Sequence, residues 1–235
     1  MNKRLGVFLS LLVWLVAVTA VAQEAKVAAP QEPAKPTERV ALSPAAREGG
    51  MALHEALARR QSVRDFVDKP ISQRELGQLL WAAQGVNRPN GRRTAPSANA
   101  LYPLELYVAT ADGFFHYEPR EHQLERHSTG DLRPAIAKAA RGQKHVPVSA
   151  AVFIFAGVFE RMTKRYGEAQ RQRGSNFVFI EAGHAAQNLL LEVVALNLGA
   201  VPMGGFDEGQ LQEAVALPSD HRPIYMVAVG FPRTN

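Results

Sequence analysis

Apolar and polar residues follow one another along the chain at spacings that predict its secondary structure. Apolar residues at helical spacing over 76–83 follow the capping-box pattern of Ser72 and Glu75, and they predict a helix that ends near Gly85. The nearly continuous apolar run 150–158 has the length of a strand and predicts a buried position at the centre of a sheet. Both periods in one chain indicate helices packed on a sheet.

The remaining segments extend this mixed pattern. Ser43 followed by Pro44 is typical of a helix start, and the apolar residues beyond them predict a helix that runs toward Arg60. Segment 175–198 has little room for a solvent face, so we expect a long helix that forms the buried spine of the domain. Further predicted elements are strands over 104–109, 113–117 and 225–229 and helices over 132–141 and 160–173. The order predicts an α+β fold, a mixed central sheet flanked by helices with a long buried core helix, and not regular βαβ winding.

The N-terminus has the pattern of a secretory signal. Lys3 and Arg4 precede an apolar run to Val18, and the Ala-Val-Ala sequence that ends at Ala22 is a cleavage site, so we predict a signal peptide over 1–22 and a periplasmic or otherwise exported protein. The alternative is an uncleaved membrane anchor, because the apolar stretch just reaches the roughly 18 residues at which a span becomes possible. Residues 23–42 are rich in Ala, Pro, Glu, Gln and Lys and predict a disordered linker, which leaves 43–235 as one domain.

Composition narrows the chemistry. The chain has no cysteine, which excludes disulfides, a thiolate nucleophile and thiolate-bound metals or iron–sulfur clusters. The formal charge of +5 falls to +3 once the signal peptide is removed, because 25 basic and 22 acidic residues remain, and this excess is too small to indicate a nucleic-acid partner. The His54-Glu55 pair begins like a zinc-protease helix but has Ala58 where the second histidine belongs, so the sequence predicts no metal site.

Three short segments far apart in the chain carry the candidate chemistry. They cover residues 60–64, 96–103 and 201–206, and Arg233 joins them near the end of the chain. Arginine side chains offer planar forks of donors to an anion, serine and asparagine supply further hydrogen bonds, and paired glycines let the backbone approach a flat ring. Taken singly, these residues also fit a solvated helix end, a turn and a tight connection.

Residues 58–233 resemble the nitroreductase superfamily of FMN-dependent oxidoreductases, and within it the SagB-type dehydrogenase branch. The matching runs are Arg-x-Ser-x-Arg-x-Phe from Arg60, Arg-Thr-Ala-Pro-Ser-Ala-Asn-Ala-Leu-Tyr-Pro-Leu-Glu from Arg93, Glu-Ala-Gly-His-Ala-Ala-Gln-Asn-Leu from Glu181 and the closing Gly-Phe-Pro-Arg. The resemblance implies a nitroreductase-like FMN-binding domain over 43–235.

The resemblance also implies roles for individual residues. Arg60, Ser62 and Arg64 would bind the phosphate and pyrimidine side of FMN, with Arg233 closing on the phosphate. The other cofactor-binding candidates are Ser97 and Asn99 by the ring and Met203, Gly204 and Gly205 at the N5 edge. The branch tends to have Gly at the position of Asn99, where nitroreductases proper often have Asn, so the subfamily stays open. Azoline-oxidising members use a Lys-Tyr pair for proton abstraction, for which Lys164 and Tyr166 are the candidates.

By this resemblance we expect an exported FMN-dependent oxidoreductase that moves two electrons through flavin N5 in a ping-pong cycle. We expect a homodimer, a small-molecule or peptidic substrate, no nucleic-acid partner and an additional redox partner, since nicotinamide nucleotides belong to the cytosol. Two alternatives stay open: a non-catalytic flavin-binding or partner-binding protein with the same fold, and a membrane-anchored NAD(P)H-dependent nitroreductase.

Overall fold

The computed structural model describes residues 36–233. The predicted signal peptide and most of the predicted linker therefore lie outside the described residues. The helices are α1 (Leu53–Arg59), α2 (Gln73–Gln84), α3 (Arg133–Ala139), α4 (Phe159–Tyr166), α5 (Arg171–Ala195) and α6 (Glu208–Ala214). The strands are β1 (Glu38–Ala41), β2 (Phe66–Val67), β3 (Leu104–Thr110), β4 (Gly113–Glu118), β5 (Gln123–Ser128), β6 (Ala151–Gly157), β7 (Gly199–Met203) and β8 (Arg222–Pro232).

The strands form one sheet in the order β1-β5-β4-β3-β6-β8-β2, with β7 also paired to β8. The strand pairs are antiparallel, and a parallel bridge joins Ser62 to Ala200. Strand β6 lies inside the sheet between β3 and β8, and every one of its residues is buried, as its apolar sequence predicts. The predicted α+β class is confirmed.

Helix α2 begins where its sequence predicts. Ser72 accepts a hydrogen bond from the Glu75 amide, and the Glu75 carboxylate accepts one in return from the Ser72 amide, so the capping box is complete. The apolar side of α2 packs with α5 against one face of the sheet, around Leu79, Leu80 and Leu189. Helices α3 and α6 cover the other face around Ile136 and Leu211. The sheet is thus the middle of three layers.

The helix predicted to start at Ser43 is shorter than expected. Helix α1 begins at Leu53, and residues 43–52 form no helix. Gly49 and Gly50 adopt φ values of +80° and +82°, a left-handed conformation that a right-handed helix cannot contain. The glycine pair therefore outweighs the Ser-Pro start signal.

The boundary between the two helices predicted over 160–173 and 175–198 lies earlier in the chain than predicted. Helix α4 ends at Tyr166 because Gly167 has a φ of +74°, and α5 already begins at Arg171. Helix α5 is long and apolar enough to cross a membrane by composition, but Leu189 and Val193 are buried against the sheet, as in a core helix. Its opposite side stays exposed at Phe179 (47%) and Ile180 (52%).

Five elements were not predicted: β1, β2, β5, β7 and α6. Strand β1 lies inside the segment predicted as a disordered linker and pairs with β5 from Glu38 to Ala41, so the ordered part begins before the predicted boundary at residue 43. Charged residues form the cross-strand pairs between these two strands in place of a hydrophobic pattern: Arg39 binds Glu125 and Arg126 binds Glu38.

Candidate functional site

The loop that follows α1 is fastened to strand β7. The Val63 amide donates to the Ala200 carbonyl at 2.8 Å, and Ser62 forms the parallel bridge with the same residue. Gly199 permits this close approach, since a Cβ at that position would lie 2.9 Å from the Val63 Cβ. The first and third predicted segments are thereby neighbours in the fold.

Arg233 lies beside the same loop. Its amide donates to the Asp65 carbonyl at 3.1 Å, and its guanidinium pairs with the Asp65 carboxylate at 3.2 Å. Among residues 36–233, no carboxylate forms an ion pair with Arg60 or Arg64. Arg60 lines a cavity of about 590 Å³ between α1, α5 and β7. The loop therefore offers positive charge that the described part of the chain does not neutralise.

Strand β7 delivers Gly204 and Gly205 to this region. Both glycines are exposed, and a Cβ built on either would meet nothing within 4 Å. Met203, just before them, is buried and its sulfur lies 3.2 Å from Nε2 of His145. Because Met203 is held in the core, the two glycines that follow it present backbone without side chains to open space.

His145 is a neighbour of the site that the sequence did not indicate. Burial and the positive charge of Arg64 both lower the pKa of its ring, which keeps the imidazole neutral at pH 7. Its ring contacts Met203, and the charge of Arg64 acts on it electrostatically. His145 thus lies between the Arg60–Arg64 loop and the end of β7. A single histidine in a loop carries no spacing signal from which this role could be read.

The second predicted segment forms a strained turn. Asn99, Ala100 and Tyr102 all have positive φ values, of 54°, 54° and 47°, which non-glycine residues rarely adopt. Ser97 braces the turn by accepting a hydrogen bond from the Tyr102 amide at 2.9 Å. Asn99 donates to the hydroxyl of Tyr166 at 2.8 Å, which fixes the turn to the end of α4.

A buried carboxyl group lies behind this turn. Glu181 of α5 is 1% exposed, and burial raises the pKa of its carboxyl to about 7, against the opposing charge of Arg93. Ser97 and Gln84 face the carboxyl, but neither meets the distance and angle of a full hydrogen bond, and both its oxygens are buried. The sequence signal that could have indicated Glu181 is its position, an acidic residue on an otherwise apolar face of a predicted helix.

The two members of the predicted Lys-Tyr pair differ in their surroundings. Tyr166 contacts the turn through Asn99, whereas Lys164 is 73% exposed and pairs with Glu160 one helical turn away at 3.1 Å. Lys164 is thus a solvated residue of a charged helix face and is not part of the candidate site.

The candidate residues therefore form two groups. Within residues 36–233, no hydrogen bond joins them. The phosphate-side group comprises Arg60, Ser62, Arg64, Met203, Gly204, Gly205 and Arg233. The turn group comprises Ser97, Asn99 and Tyr166, with Glu181 behind it. The phosphate-side group fits a ligand with an anionic end and a flat ring, because it combines free arginines with glycines that face open space.

Comparison with known proteins identifies the family of the chain. The family model described as "Nitroreductase family" matches residues 57–231. A nitroreductase homologue of Methanocaldococcus jannaschii is 35% identical over 184 residues, covering 76% of this chain and 90% of that protein. A nitroreductase-type crystal structure from Ralstonia eutropha has a TM-score of 0.75 at 31% identity and covers 86% of this chain and 95% of the other.

A microcin-processing protein is also among the relatives. The microcin B17-processing protein McbC of Escherichia coli is 24% identical over 180 residues, covering 71% of this chain and 64% of McbC. This match agrees with the resemblance to SagB-type dehydrogenases. From its matched residues, its fold and its relatives, the chain belongs to the nitroreductase family.

Proposed function

We propose that this protein is an exported FMN-dependent oxidoreductase. The observation that carries the proposal is that the loop of Arg60, Ser62 and Arg64 is bonded to β7, the strand that leads to the open glycines Gly204 and Gly205, and that Arg233 lies beside the same loop. Positive charge at one end and bare backbone at the other match the phosphate and the ring of a flavin mononucleotide. Membership of the nitroreductase family supports an oxidoreductase.

The arginines hold the phosphate end in this proposal. Arg60 and Arg64 lack a carboxylate partner among residues 36–233, so a phosphate would gain their hydrogen bonds without displacing an acid. Arg233 would exchange its ion pair with Asp65 for the phosphate, and that pair is weak because both side chains are largely exposed. Ser62 adds a hydroxyl donor on the same loop.

The glycine turn and the strained turn serve the ring end. When bound, FMN supplies two-electron transfer through N5, which we propose to run as a ping-pong cycle. Gly204 and Gly205 let main-chain N–H groups approach the ring edge, where a Cβ would keep the ring away. Ser97 and Asn99 contribute polar groups from the other turn, held in place by Tyr102 and Tyr166.

A homodimer would join the two groups into one site. The turn group lies on the α4 and α5 side of the chain, and α5 exposes Phe179 and Ile180 next to it. Two copies that meet through this apolar side would bury it and bring the turn of one copy toward the phosphate-side group of the other. The same contact explains why a core helix keeps large apolar residues at its surface.

Export determines the source of electrons in the proposal. Outside the cytosol, nicotinamide nucleotides are scarce, so we propose a dehydrogenase of a small-molecule or peptidic substrate, with a further redox partner as the second reactant. The predicted signal peptide supports the export step. Lys164 is exposed to solvent and pairs with Glu160, and this position argues against azoline oxidation as a second candidate function.

The absorption spectrum of the purified mature protein tests the cofactor. We expect flavin bands at about 450 nm, release of FMN by acid identified by mass, and loss of the colour in the Arg60→Ala, Arg64→Ala double variant. The matched control is Arg92→Ala with Arg165→Ala, which removes two exposed arginines outside the candidate site and should leave the protein yellow. A colourless wild type that takes up no added FMN would refute the proposal.

A further inference from the structure

The hairpin of β4 and β5 carries a second cluster of ionisable groups, away from the phosphate-side group. The sequence reads His116-Tyr117-Glu118 on β4 and Glu125-Arg126-His127 on β5. Side chains two residues apart on a strand point to the same face of the sheet. His116 is the direct cross-strand partner of Glu125, so the two motifs face each other.

The second histidine of the cluster lies at a bulge. The register shifts between Phe114 and Phe115, whose partners are Ser128 and Arg126, which leaves His127 as the extra residue on β5. One ligand atom each from His116, Glu125 and His127 then lies within 4.8 Å of the others. His127 thus joins the cross-strand pair of His116 and Glu125 as the third group.

We propose that His116, Glu125 and His127 bind a divalent first-row transition-metal ion such as Zn²⁺. Two imidazoles and a carboxylate are the nitrogen and oxygen ligands that such ions take, and three protein ligands leave a position for water. All three side chains are partly buried, so the site is accessible to an ion and yet shielded from bulk solvent. The site is independent of the flavin proposal, because it shares no residue with it.

The surroundings of His116 support ligation through Nδ1. Its Nε2 is hydrogen-bonded to Glu105 of β3 at 2.8 Å, and Arg161 donates in turn to the same carboxylate. Metal-binding histidines usually donate their second ring nitrogen to a carboxylate in this way, which fixes the tautomer and the orientation of the ring. The Nδ1 atom lies 3.2 Å from the Glu118 carboxylate, and a bound ion would replace this ion pair.

Glu125 also has an oxygen to offer. Both hydrogen bonds from Arg39 go to Oε1 of Glu125, at 2.9 and 3.0 Å. Neither of these two bonds reaches Oε2 of the carboxylate. We therefore expect Oε2 to be the ligand atom. Arg39 would then hold the ligand in position, as the carboxylate of Glu105 does for His116.

The nearby His221 and Tyr107 are assigned no ligand role. The Tyr107 hydroxyl and Nδ1 of His221 form a hydrogen bond of 2.6 Å with each other, and the His116 and His221 ring centres are 6.4 Å apart. Three carboxylates favour a cation here: Glu105 and Glu118 both pair with His116, and Glu125 faces it across the strands, while Arg39 and Arg161 form ion pairs with Glu125 and Glu105.

Zinc titration of tag-free, full mature protein tests the site. We expect calorimetry to show one Zn²⁺ per chain in chelator-treated protein and at least about 100-fold weaker binding in His127→Gln and in Glu125→Gln. His54→Gln is the control, because His54 is an exposed helix residue far from the hairpin in sequence, and it should bind as wild type. Co²⁺ should give the visible absorption bands of a nitrogen-coordinated ion in wild type and lose them in both variants.

Two results would overturn the proposal. One is zinc affinity of the wild type no higher than that of the His127→Gln, Glu125→Gln double variant. The other is a wild-type cobalt spectrum that both single variants retain. Thermal unfolding of each metal-free variant shows that it is folded, and His116→Gln is kept as a supporting variant only, because its ring also serves Glu105 and Glu118. Bound flavin is measured on the same samples and should be equal in all of them.

Discussion

Asn99 and Tyr166 are joined by a hydrogen bond of 2.8 Å in which the asparagine amide donates to the tyrosine hydroxyl. The bond connects a turn with three left-handed residues to the last residue of α4, 67 positions later in the chain. Left-handed conformations cost free energy for residues with a Cβ, so this turn persists only because contacts of this kind stabilise it. Strain held by a specific contact is typical of a functional turn.

Removal of the Tyr166 hydroxyl should lower turnover. We expect Tyr166→Phe to lose about tenfold in reductase rate with an artificial electron donor, which corresponds to one hydrogen bond of about 1.4 kcal/mol. Flavin content should stay at the wild-type level, because the phosphate-side group is unaffected. Lys164→Ala is the control and should keep the full rate, since Lys164 is 73% exposed. Equal losses in both variants would instead support the Lys-Tyr pair that the sequence suggested.

Glu181 should make stability depend on pH. Its folded pKa of about 7 lies above the ordinary value of 4.5, so the folded protein binds a proton that the unfolded chain releases. The stability contribution is fully present below pH 4.5 and is lost as pH rises through 7, by about 3 kcal/mol in total.

We therefore expect Glu181→Gln to match wild type in urea unfolding at pH 4.5 and to exceed it in unfolding free energy at pH 8. Glu121→Gln, which changes an exposed carboxylate on a turn, should follow the wild type at both values. A wild type whose stability rises between pH 5 and 8 in step with that of Glu181→Gln would show that the carboxyl is ionised when folded.

Two glycines, Gly199 at the start of β7 and Gly204 just after its end, should separate folding from cofactor binding. Gly204→Ala adds a methyl group in open space and should change the free energy of unfolding by less than about 0.5 kcal/mol, yet reduce the flavin content. Gly199→Ala places its Cβ 2.9 Å from the Val63 Cβ and should cost about 1–3 kcal/mol. Full flavin content in Gly204→Ala would move the ring away from this turn.

The exposed side of α5 should control assembly. We expect Ile180→Glu to shift a dimer toward monomers in light scattering after size exclusion and to lower flavin content with it, because a charge cannot be buried there unpaired. Lys138→Glu reverses a charge on the exposed side of α3 and serves as the control. This variant should stay dimeric. A wild type that is monomeric and retains its flavin would contradict the shared-site arrangement.

Sequence analysis succeeded where the signal is local. The capping box of α2 and the apolar run of β6 each determine their element from adjacent residues, and both were confirmed. Long-range pairing was less visible: β1 and β5 are stabilised by ion pairs such as Arg39 with Glu125, whose partners are 86 residues apart. The helix expected from Ser43 failed because two glycines outweigh a start signal.

The candidate site divides in the same way. The family resemblance selected Arg60, Ser62, Arg64 and the glycine turn, and the fold brings them together. His145 and the bulge at His127 had no sequence signal, because each depends on which strand or loop lies alongside. Spacing along one chain segment cannot report a contact that the sheet register creates.

Strand β1 has a practical consequence for producing this protein. It is the terminal strand of the sheet, and its four residues cover β5, with a further hydrogen bond from the Thr37 amide to the Arg126 carbonyl. A shortened gene that starts at Ser43, where the sequence first suggests a boundary, would leave the backbone of β5 open to pairing with another molecule. If that short form is insoluble while a form that starts before Thr37 is soluble, the cause is the loss of β1 and not an unstable domain.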